Sequence, residues 1–520
     1  SEAAGRGAEL IVFPELCIPG YAALGLFHQR DFLEANMHCL REAAAHTRGL
    51  PVAAVVGLAV PPWEAGAADS RRGFNSAAAL YDGAVVGMAH KILLPDHDIF
   101  WESRYFQAAD RRRVITLNGR RLGIEICEDL WDADYYVKAT DELTALGAEL
   151  IINLSCSPFE YGKFEERLQL LRAAAVRSRR PIIYANGVGG QDGYDGEVVF
   201  DGRSMVVDGA GRLIGLGRAF AEDLLVVDME RAAECALLRR TAAAEVYDAL
   251  TLALQDYCAR CGFKRVYIGL SGGVDSAVTA AIAAAALGAE NVIGVTMPSH
   301  VTGAETKTDA LLTAANLGIR CEVRPIEGIY RAWEETAGRA HGSPAGLTRQ
   351  NAQARIRGLI LMEYANQDRE GLVVCTGNKT ESATGYCTLY GDMCGGLALI
   401  GDCGKLLVYE LAAEHNRRAG WDQIPRRTLE RIPTAELEPG QTDRDNLPAD
   451  YPVLAPLVDE IVAGFPRREL EKRYPAEVVA RACKMVYASE YKRRQAAPAV
   501  RVSGRAFGAG RRYPIDNRFW

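Results

Sequence analysis

The sequence predicts two consecutive α/β units, a layered domain with mixed strands followed by a doubly wound parallel sheet. Two observations carry that prediction. In residues 1 to about 230, short apolar runs alternate with turn signals, and helical patterns fall between only some of them. From about Thr241 the order becomes helix, strand, glycine loop, helix, strand. Sheets of that second kind bind ligands beyond the carboxyl ends of their strands.

The first unit's expected strands are Leu10–Phe13, Ala53–Val60, Ala77–Tyr81, Leu122–Cys127, Leu150–Leu154, Ile182–Ala185, Ser204–Asp208 and Leu224–Asp228. Its clearest helical stretches are Asp31–Thr47 and Phe164–Ser178. A charged, Ala-rich connector near Arg231–Thr241 places the boundary between residues 1–235 and 236–520. Beyond it, Val266–Leu270, Val292–Met297, Arg320–Pro325 and Leu372–Cys375 read as strands, and Ala277–Leu287 as a helix. Residues Glu430–Tyr451, rich in Pro, Asp and Glu, read as a long ordered loop or lid.

Composition excludes several classes. The 520 residues are 49% hydrophobic and 24% charged, which permits large cores. A formal net charge of −7 argues against a nucleic-acid scaffold. No apolar run reaches the ~18 residues of a membrane span, and no signal peptide is visible. Thirteen scattered cysteines do not form a disulfide framework and point to a reducing, cytoplasmic setting. Cys258-Ala-Arg-Cys261 lacks a second ligand pair, so it reads as structural rather than as a zinc site.

The stretch Gly269-Leu270-Ser271-Gly272-Gly273-Val274-Asp275-Ser276 joins a strand to a helix. Such a loop turns backbone N–H groups and a helix N-terminus toward phosphate. It has no lysine, unlike a loop that works on a γ-phosphate. Asp275 is out of place beside an anion unless it holds a metal, which gives it a Mg²⁺-related role. The string resembles the loop of the ATP pyrophosphatase family, and the resemblance implies cleavage of ATP between the α and β phosphates.

Further motifs narrow that resemblance. They are Met297-Pro-Ser299, Leu347-Thr-Arg-Gln-Asn-Ala-Gln-Ala-Arg-Ile-Arg357, Thr376-Gly-Asn-Lys-Thr-Glu-Ser382, Gly385-Tyr-Cys-Thr-Leu-Tyr-Gly-Asp-Met-Cys-Gly-Gly396 and Ser489-Glu-Tyr-Lys-Arg-Arg-Gln495. Singly, each has an ordinary reading as a turn, a core aromatic, a helix decoration or a solvated basic run. Together and in order, they resemble the synthetase domain of glutamine-dependent NAD synthetases. The resemblance implies ATP contacts from Gly269–Ser276 and Thr376. It implies contacts to nicotinic acid adenine dinucleotide from Asn351, Arg355, Glu381, Tyr386 and Lys492, and metal contacts from Asp275 and Glu381. Asn351 and Arg355 lie one helical turn apart and so share a face. Lys405 is a second lysine to consider for phosphate.

Three strings in the first half each put a reactive side chain at or just past a strand end. They are Phe13-Pro-Glu-Leu16, Lys91-Ile-Leu-Leu-Pro95 and Glu125-Ile-Cys-Glu-Asp129. A thiolate is a stronger nucleophile than a thiol, and a nearby ammonium stabilises it. A carboxylate can take the cysteine proton and later activate water, and a lysine can stabilise an oxyanion. Alone, Cys127 would be read as a buried apolar cysteine. Cys156 reads as structural. The three strings resemble the nitrilase superfamily, and this implies an αββα sandwich with Glu15 as base, Lys91 as oxyanion partner and Cys127 as nucleophile. Glu102 is a candidate supporting carboxylate.

The NAD synthetase resemblance implies glutamine recognition by Tyr21, Glu128, Trp131, Ser157 and Lys163. His97 and Lys163 depart from the residues common at those places in the family, and Lys163 lacks the planar fork of an arginine. The nitrilase resemblance implies a first strand before Ser1, whose lack would leave an exposed sheet edge. The whole chain thus resembles a ligase that uses Mg²⁺, ATP and glutamine, works as a homo-oligomer in the cytoplasm and binds neither nucleic acid nor membrane. Two sites on one chain also predict a shielded passage for ammonia. Two alternatives stay open on sequence alone, a different glutamine-fed ATP pyrophosphatase amidotransferase and a non-catalytic nucleotide-binding protein.

Overall fold

The computed structural model describes residues 2–64, 72–193, 196–341, 346–438, 440–508 and 510–519. The chain divides into two compact units, Ser1–Gly189 with Val199–Arg239, and Gly190–Val198 with Arg240–Trp520. The expected boundary of 235/236 lies near the observed Arg239/Arg240 step, but the short Gly190–Val198 segment goes with the second unit.

In chain order the first half carries β1 (Leu10–Val12), β2 (Ala53–Val60), β3 (Phe74–Tyr81), β4 (Ala84–His90), β5 (Val114–Leu117), β6 (Arg120–Ile126), β7 (Leu150–Ser155), β8 (Ile182–Asn186), β9 (Val188–Asp192), β10 (Gly196–Asp201), β11 (Met205–Val207) and β12 (Leu213–Leu216). One sheet has the order β1-β2-β3-β4 and a second has β12-β11-β8-β7-β6-β5. The period-2 pattern of β2 explains their packing. Ala53 and Val55 face inward with Ala77, Ala79, Ile124, Ile126, Ile152 and Leu154, which fill the space between the sheets. Ala54, Val56, Leu58 and Val60 point the other way, onto Met37, Leu40 and Ala44 of the helix Arg30–Ala45. The helix Lys163–Ser178 covers the outer face of the second sheet through Leu168, Leu171, Ala174 and Ala175. The layers are therefore helix, sheet, sheet, helix, as expected.

The expected strand Leu224–Asp228 does not form. That segment carries no regular secondary structure and is half-buried to exposed, with Val227 lying against Gly215 but no ladder made. β4, β5 and β12 had no sequence signal strong enough to name them. β4 exposes Ala84, Val85 and Val86, so it lacks the continuous burial that marks β2.

The second unit continues with β13 (Arg265–Gly269), β14 (Val292–Thr296), β15 (Arg320–Val323), β16 (Gly371–Cys375), β17 (Leu397–Ala398) and β18 (Ala499–Val500). The strand order β15-β14-β13-β16-β17-β18 continues through β10. Every pair from β15 to β18 is parallel, and Gly196 and Glu197 pair in parallel with Ala499 and Val500. β13 is flanked by β14 on one side and β16 on the other, so the strand order reverses at its carboxyl end. Such a reversal is where a doubly wound sheet opens a crevice. Thr241 starts the unit by capping the helix Ala242–Cys261, its side chain accepting from the Ala244 N–H. The segment Glu430–Tyr451 is mostly irregular, with one short turn of helix at Asp443–Asp445.

Candidate active sites

In the first unit, the three strings predicted from sequence meet. Glu15 and Lys91 are fully buried and Cys127 is 5% exposed. Lys91 Nζ donates to Glu15 Oε1 and to Glu102 Oε1, each at 2.8 Å. Burial opposes the Lys91 charge, but Glu102 and Glu15 more than restore it, so the ammonium stays protonated. Burial lifts the Glu102 carboxyl to about 7, against the pull of Lys91. Tyr21 OH donates to Glu102 Oε1 at 2.8 Å, so this candidate glutamine contact also anchors the second carboxylate.

Cys127 sits where β6 ends and a short turn of helix, Cys127–Leu130, begins. Its φ of 43° is left-handed, which a non-glycine residue adopts only under local constraint. The constraint comes from Asp129. Its carboxylate accepts from the N–H groups of Ile92 (3.2 Å), Leu93 (2.9 Å) and Ile126 (3.1 Å), tying the lysine and cysteine segments together. Burial and then the neighbouring Glu15 push the pKa of the Cys127 thiol well up, and Lys91 offsets only part of that, so the cysteine rests protonated.

Two groups that the sequence reading did not connect with Glu15 complete its environment. Asn75 Nδ2 donates to Glu15 Oε1 at 2.7 Å, and the Cys156 N–H donates to Oε2 at 3.0 Å. Cys156 Sγ also lies on the Glu15 carbonyl at 3.2 Å. Cys156 is therefore structural, and what it supports is Glu15. Asn75 stands with Ser76 at the start of a strand that is apolar from Ala77 onward, outside the expected strand Ala77–Tyr81.

The other glutamine candidates are placed as follows. Glu128 accepts from Tyr135 OH at 3.0 Å, and burial raises its carboxyl. Lys163 Nζ stands 4.4 Å from the centre of the Trp131 ring and 3.1 Å from Glu166. Ser157 is buried, and its N–H donates to Asn186 Oδ1 at 2.9 Å. His97 stacks edge-on with Phe100 and lies near enough to Glu128 to favour its charge.

The second unit's site is built at the carboxyl end of β13. The loop runs from Gly269 through Leu270, Ser271, Gly272 and Gly273 into the helix Val274–Leu287. Gly272 has φ +84°, and a Cβ there would lie 2.2 Å from the Thr306 carbonyl oxygen, so no other residue fits. Ser271 N–H donates to Ser276 Oγ at 3.3 Å, and Gly273 N–H donates to Ser271 Oγ at 3.2 Å. These bonds hold the turn open at the helix N-terminus.

Asp275 faces across the crevice. Its Oδ1 accepts from Asn378 Nδ2 at 2.8 Å and its Oδ2 from Lys405 Nζ at 2.5 Å. Lys405 also reaches Glu381 Oε1 at 3.4 Å. Glu381 is fixed by a reciprocal cap. Its N–H donates to Asn378 Oδ1, and the Asn378 N–H donates to Glu381 Oε2. Burial, with nearby Asp275, lifts the Glu381 carboxyl to about 8. Thr376 directly follows β16 at the same sheet end. Lys405 thus occupies the centre of the two carboxylates that the sequence marked for metal.

The remaining candidates gather on the segment after Gly385. Asn351 Oδ1 accepts from Thr388 Oγ1 at 2.8 Å, and Arg355 Nε donates to the Leu389 carbonyl at 3.2 Å. Lys492 Nζ donates to the carbonyls of Gly385 and Cys387, both at 2.7 Å. In this structure Lys492 therefore braces the loop rather than reaching free toward phosphate. Tyr386 packs on the cluster of Leu447, Tyr451 and Leu454. Arg355, Leu359, Tyr390, Met393 and Gln495 line a cavity of about 550 Å³ beside it.

Known proteins resemble both units and the whole. Residues 1–237 match the carbon-nitrogen hydrolase family model, and residues 246–496 match that of NAD synthase. A glutamine-dependent NAD(+) synthetase of Synechocystis is 38% identical over 537 residues, covering 100% of this chain and 94% of that protein. One from Thermotoga maritima is also 38% identical, covering 99% and 93%. The solved structure of a glutamine-dependent NAD+ synthetase from Acinetobacter baumannii, in complex with adenosine diphosphate, superposes with a TM-score of 0.76. It is 35% identical and covers 99% of this chain and 94% of its own.

Proposed function

This chain belongs to the glutamine-dependent NAD(+) synthetases, and we propose on that premise how its own residues divide the reaction. The enzyme is a carbon–nitrogen ligase with glutamine as amide donor. It adenylylates the carboxyl group of nicotinic acid adenine dinucleotide with ATP and replaces AMP by ammonia to give NAD. The single observation that carries the residue assignment is the buried Glu15–Lys91–Glu102 pairing beside the strained Cys127.

In the first unit, Glu15 takes the Cys127 proton as the sulfur attacks the glutamine side-chain amide. Lys91, held protonated between two carboxylates, stabilises the tetrahedral oxyanion. Collapse, with the proton on Glu15 passing to the departing amide nitrogen, releases ammonia and leaves a thioester, which water then clears with Glu15 as base. Glu128, Trp131, Ser157, Lys163 and Tyr21 surround glutamine. In the second unit, the Gly269–Ser276 loop and the helix N-terminus behind it receive the departing pyrophosphate. Thr376 contacts ATP. Asn351, Arg355, Glu381, Tyr386 and Lys492 form the dinucleotide side, with Lys492 acting through the loop it braces.

Asp275 and Glu381 suit Mg²⁺. They are hard oxygen donors, but Lys405 already pairs with both, so a bound cation would have to share the site with that ammonium or displace it. Bound there, Mg²⁺ would supply neutralising charge at the phosphates. We also place the enzyme in the cytoplasm as a homo-oligomer without nucleic-acid or membrane partners. Among the described residues, no helix is long and apolar enough to cross a membrane.

The test is an assay with nicotinic acid adenine dinucleotide and ATP, supplied with either glutamine or ammonia. Cys127→Ala should abolish glutamine-driven NAD formation and spare the ammonia-driven reaction. Loss of both would overturn the division of labour.

A further inference from the structure

Behind the glutamine contacts lies a chain of buried polar groups that the reaction scheme does not use. Ser157 N–H donates to Asn186 Oδ1 at 2.9 Å. Asn186 Nδ2 donates to Asp201 Oδ1 at 3.3 Å and to the Gly202 carbonyl at 2.9 Å. Asp201 in turn accepts two bonds from one nitrogen, Arg167 Nη2, at 2.7 and 2.6 Å. Arg167 is 1% exposed and Asp201 is fully buried.

Arg167 stands one turn after Lys163 on the helix Lys163–Ser178. That helix starts at Gly162, a left-handed residue that provides no side-chain cap. Its first turn is instead held by tertiary contacts. Arg167 grips Asp201, and Arg203, 3.8 Å from Asp201, lies over the Phe164 ring at 4.7 Å. A buried ion pair is seldom more stabilising than the apolar residues that would replace it. What this pair does supply is a fixed distance. It connects the helix bearing Lys163 to the strand-end segment bearing Ser157 through three hydrogen-bonded side chains.

We propose that Arg167 is a positioning residue for glutamine, setting Lys163 and Ser157 in register through Asp201 and Asn186. The proposal rests on the reading that Lys163 and Ser157 contact glutamine. Because Nη2 alone makes both bonds to Asp201, a lysine ammonium should replace it and a methionine should not.

Steady-state kinetics on the full chain test this. Arg167→Met should raise KM for glutamine about ten- to a hundredfold, the scale of a misplaced binding group, with ammonia-driven kcat unchanged. Arg167→Lys should recover most of the loss. A wild-type KM in Arg167→Met overturns the proposal. If Arg167→Met loses both activities, Asn186→Asp decides. It keeps the acceptor for Ser157 N–H but sets a carboxylate against Asp201. A raised KM there supports the relay, and an unchanged KM overturns it. Lys163→Met separates the two levels. A wild-type glutamine KM in Lys163→Met refutes the glutamine-site reading itself. A raised KM in Lys163→Met beside an unchanged Arg167→Met refutes only the relay.

Discussion

Burial of Glu125 makes this protein's stability depend on pH. The side chain is fully buried two residues before Cys127, where Thr140 Oγ1 and Asn153 Nδ2 donate to it. Burial, then the charge of Asp129, lifts its carboxyl from an ordinary 4.5 to about 8. The folded group therefore keeps a proton that the unfolded group loses above 4.5. Its contribution to stability is fully present below that value and is lost as pH rises toward 8, by about 1.4 kcal/mol per unit in that window. Glu125→Gln keeps the shape and removes the charge, so thermal melting should fall less steeply between about pH 5 and 8 in the variant. Parallel melting curves would count against the protonated carboxyl. The same physics limits what a sequence reveals about single residues. Glu15, Lys91 and Cys127 were legible because each stands in a short, specific string that resembles a family landmark. The protonated state of Cys127 was not, because it is set by burial and by which charges arrive beside it.

At the scale of elements, the loop after β13 is decided by backbone geometry. Gly272 combines a left-handed φ with direct approach to the Thr306 carbonyl. Gly272→Ala adds a methyl group where the carbonyl already sits, so the loop must shift away from the helix N-terminus. Ammonia-driven NAD formation should fall about a hundredfold, the penalty expected for an ångström-scale displacement of a reacting group. Glutamate release by the first unit should persist. Unchanged synthesis would remove the loop from the ATP site. The strand–loop–helix itself was readable from Val266 to Leu287, and so was the helix Lys163–Ser178. By contrast, Leu224–Asp228 carries a strand pattern and forms none, while the partly exposed β4 forms one. Pairing depends on a neighbour with free backbone groups, and local pattern does not contain that neighbour.

For the molecule as a whole, the two chemistries impose a condition on nitrogen. Ammonia freed from glutamine becomes ammonium in neutral water and then cannot attack an adenylate. Glutamine nitrogen should therefore appear in NAD with little dilution when labelled ammonium is present in the medium. Free exchange, read by mass spectrometry of the product, would refute a shielded transfer. Sequence alone determined the two fold classes and the order of the units, through hydrophobic periodicity and local strings. The proposed nucleophile and phosphate loop rest on short strings and on the families they resemble. Only tertiary structure decided which groups surround them. Asn75 and the Cys156 N–H meet Glu15 across 60 and 141 residues of chain. Lys405 meets Asp275 across 130. Arg167 finds Asp201 only because the helix Lys163–Ser178 packs on the second sheet. Contacts of that range depend on how layers pack, so no window of sequence holds them.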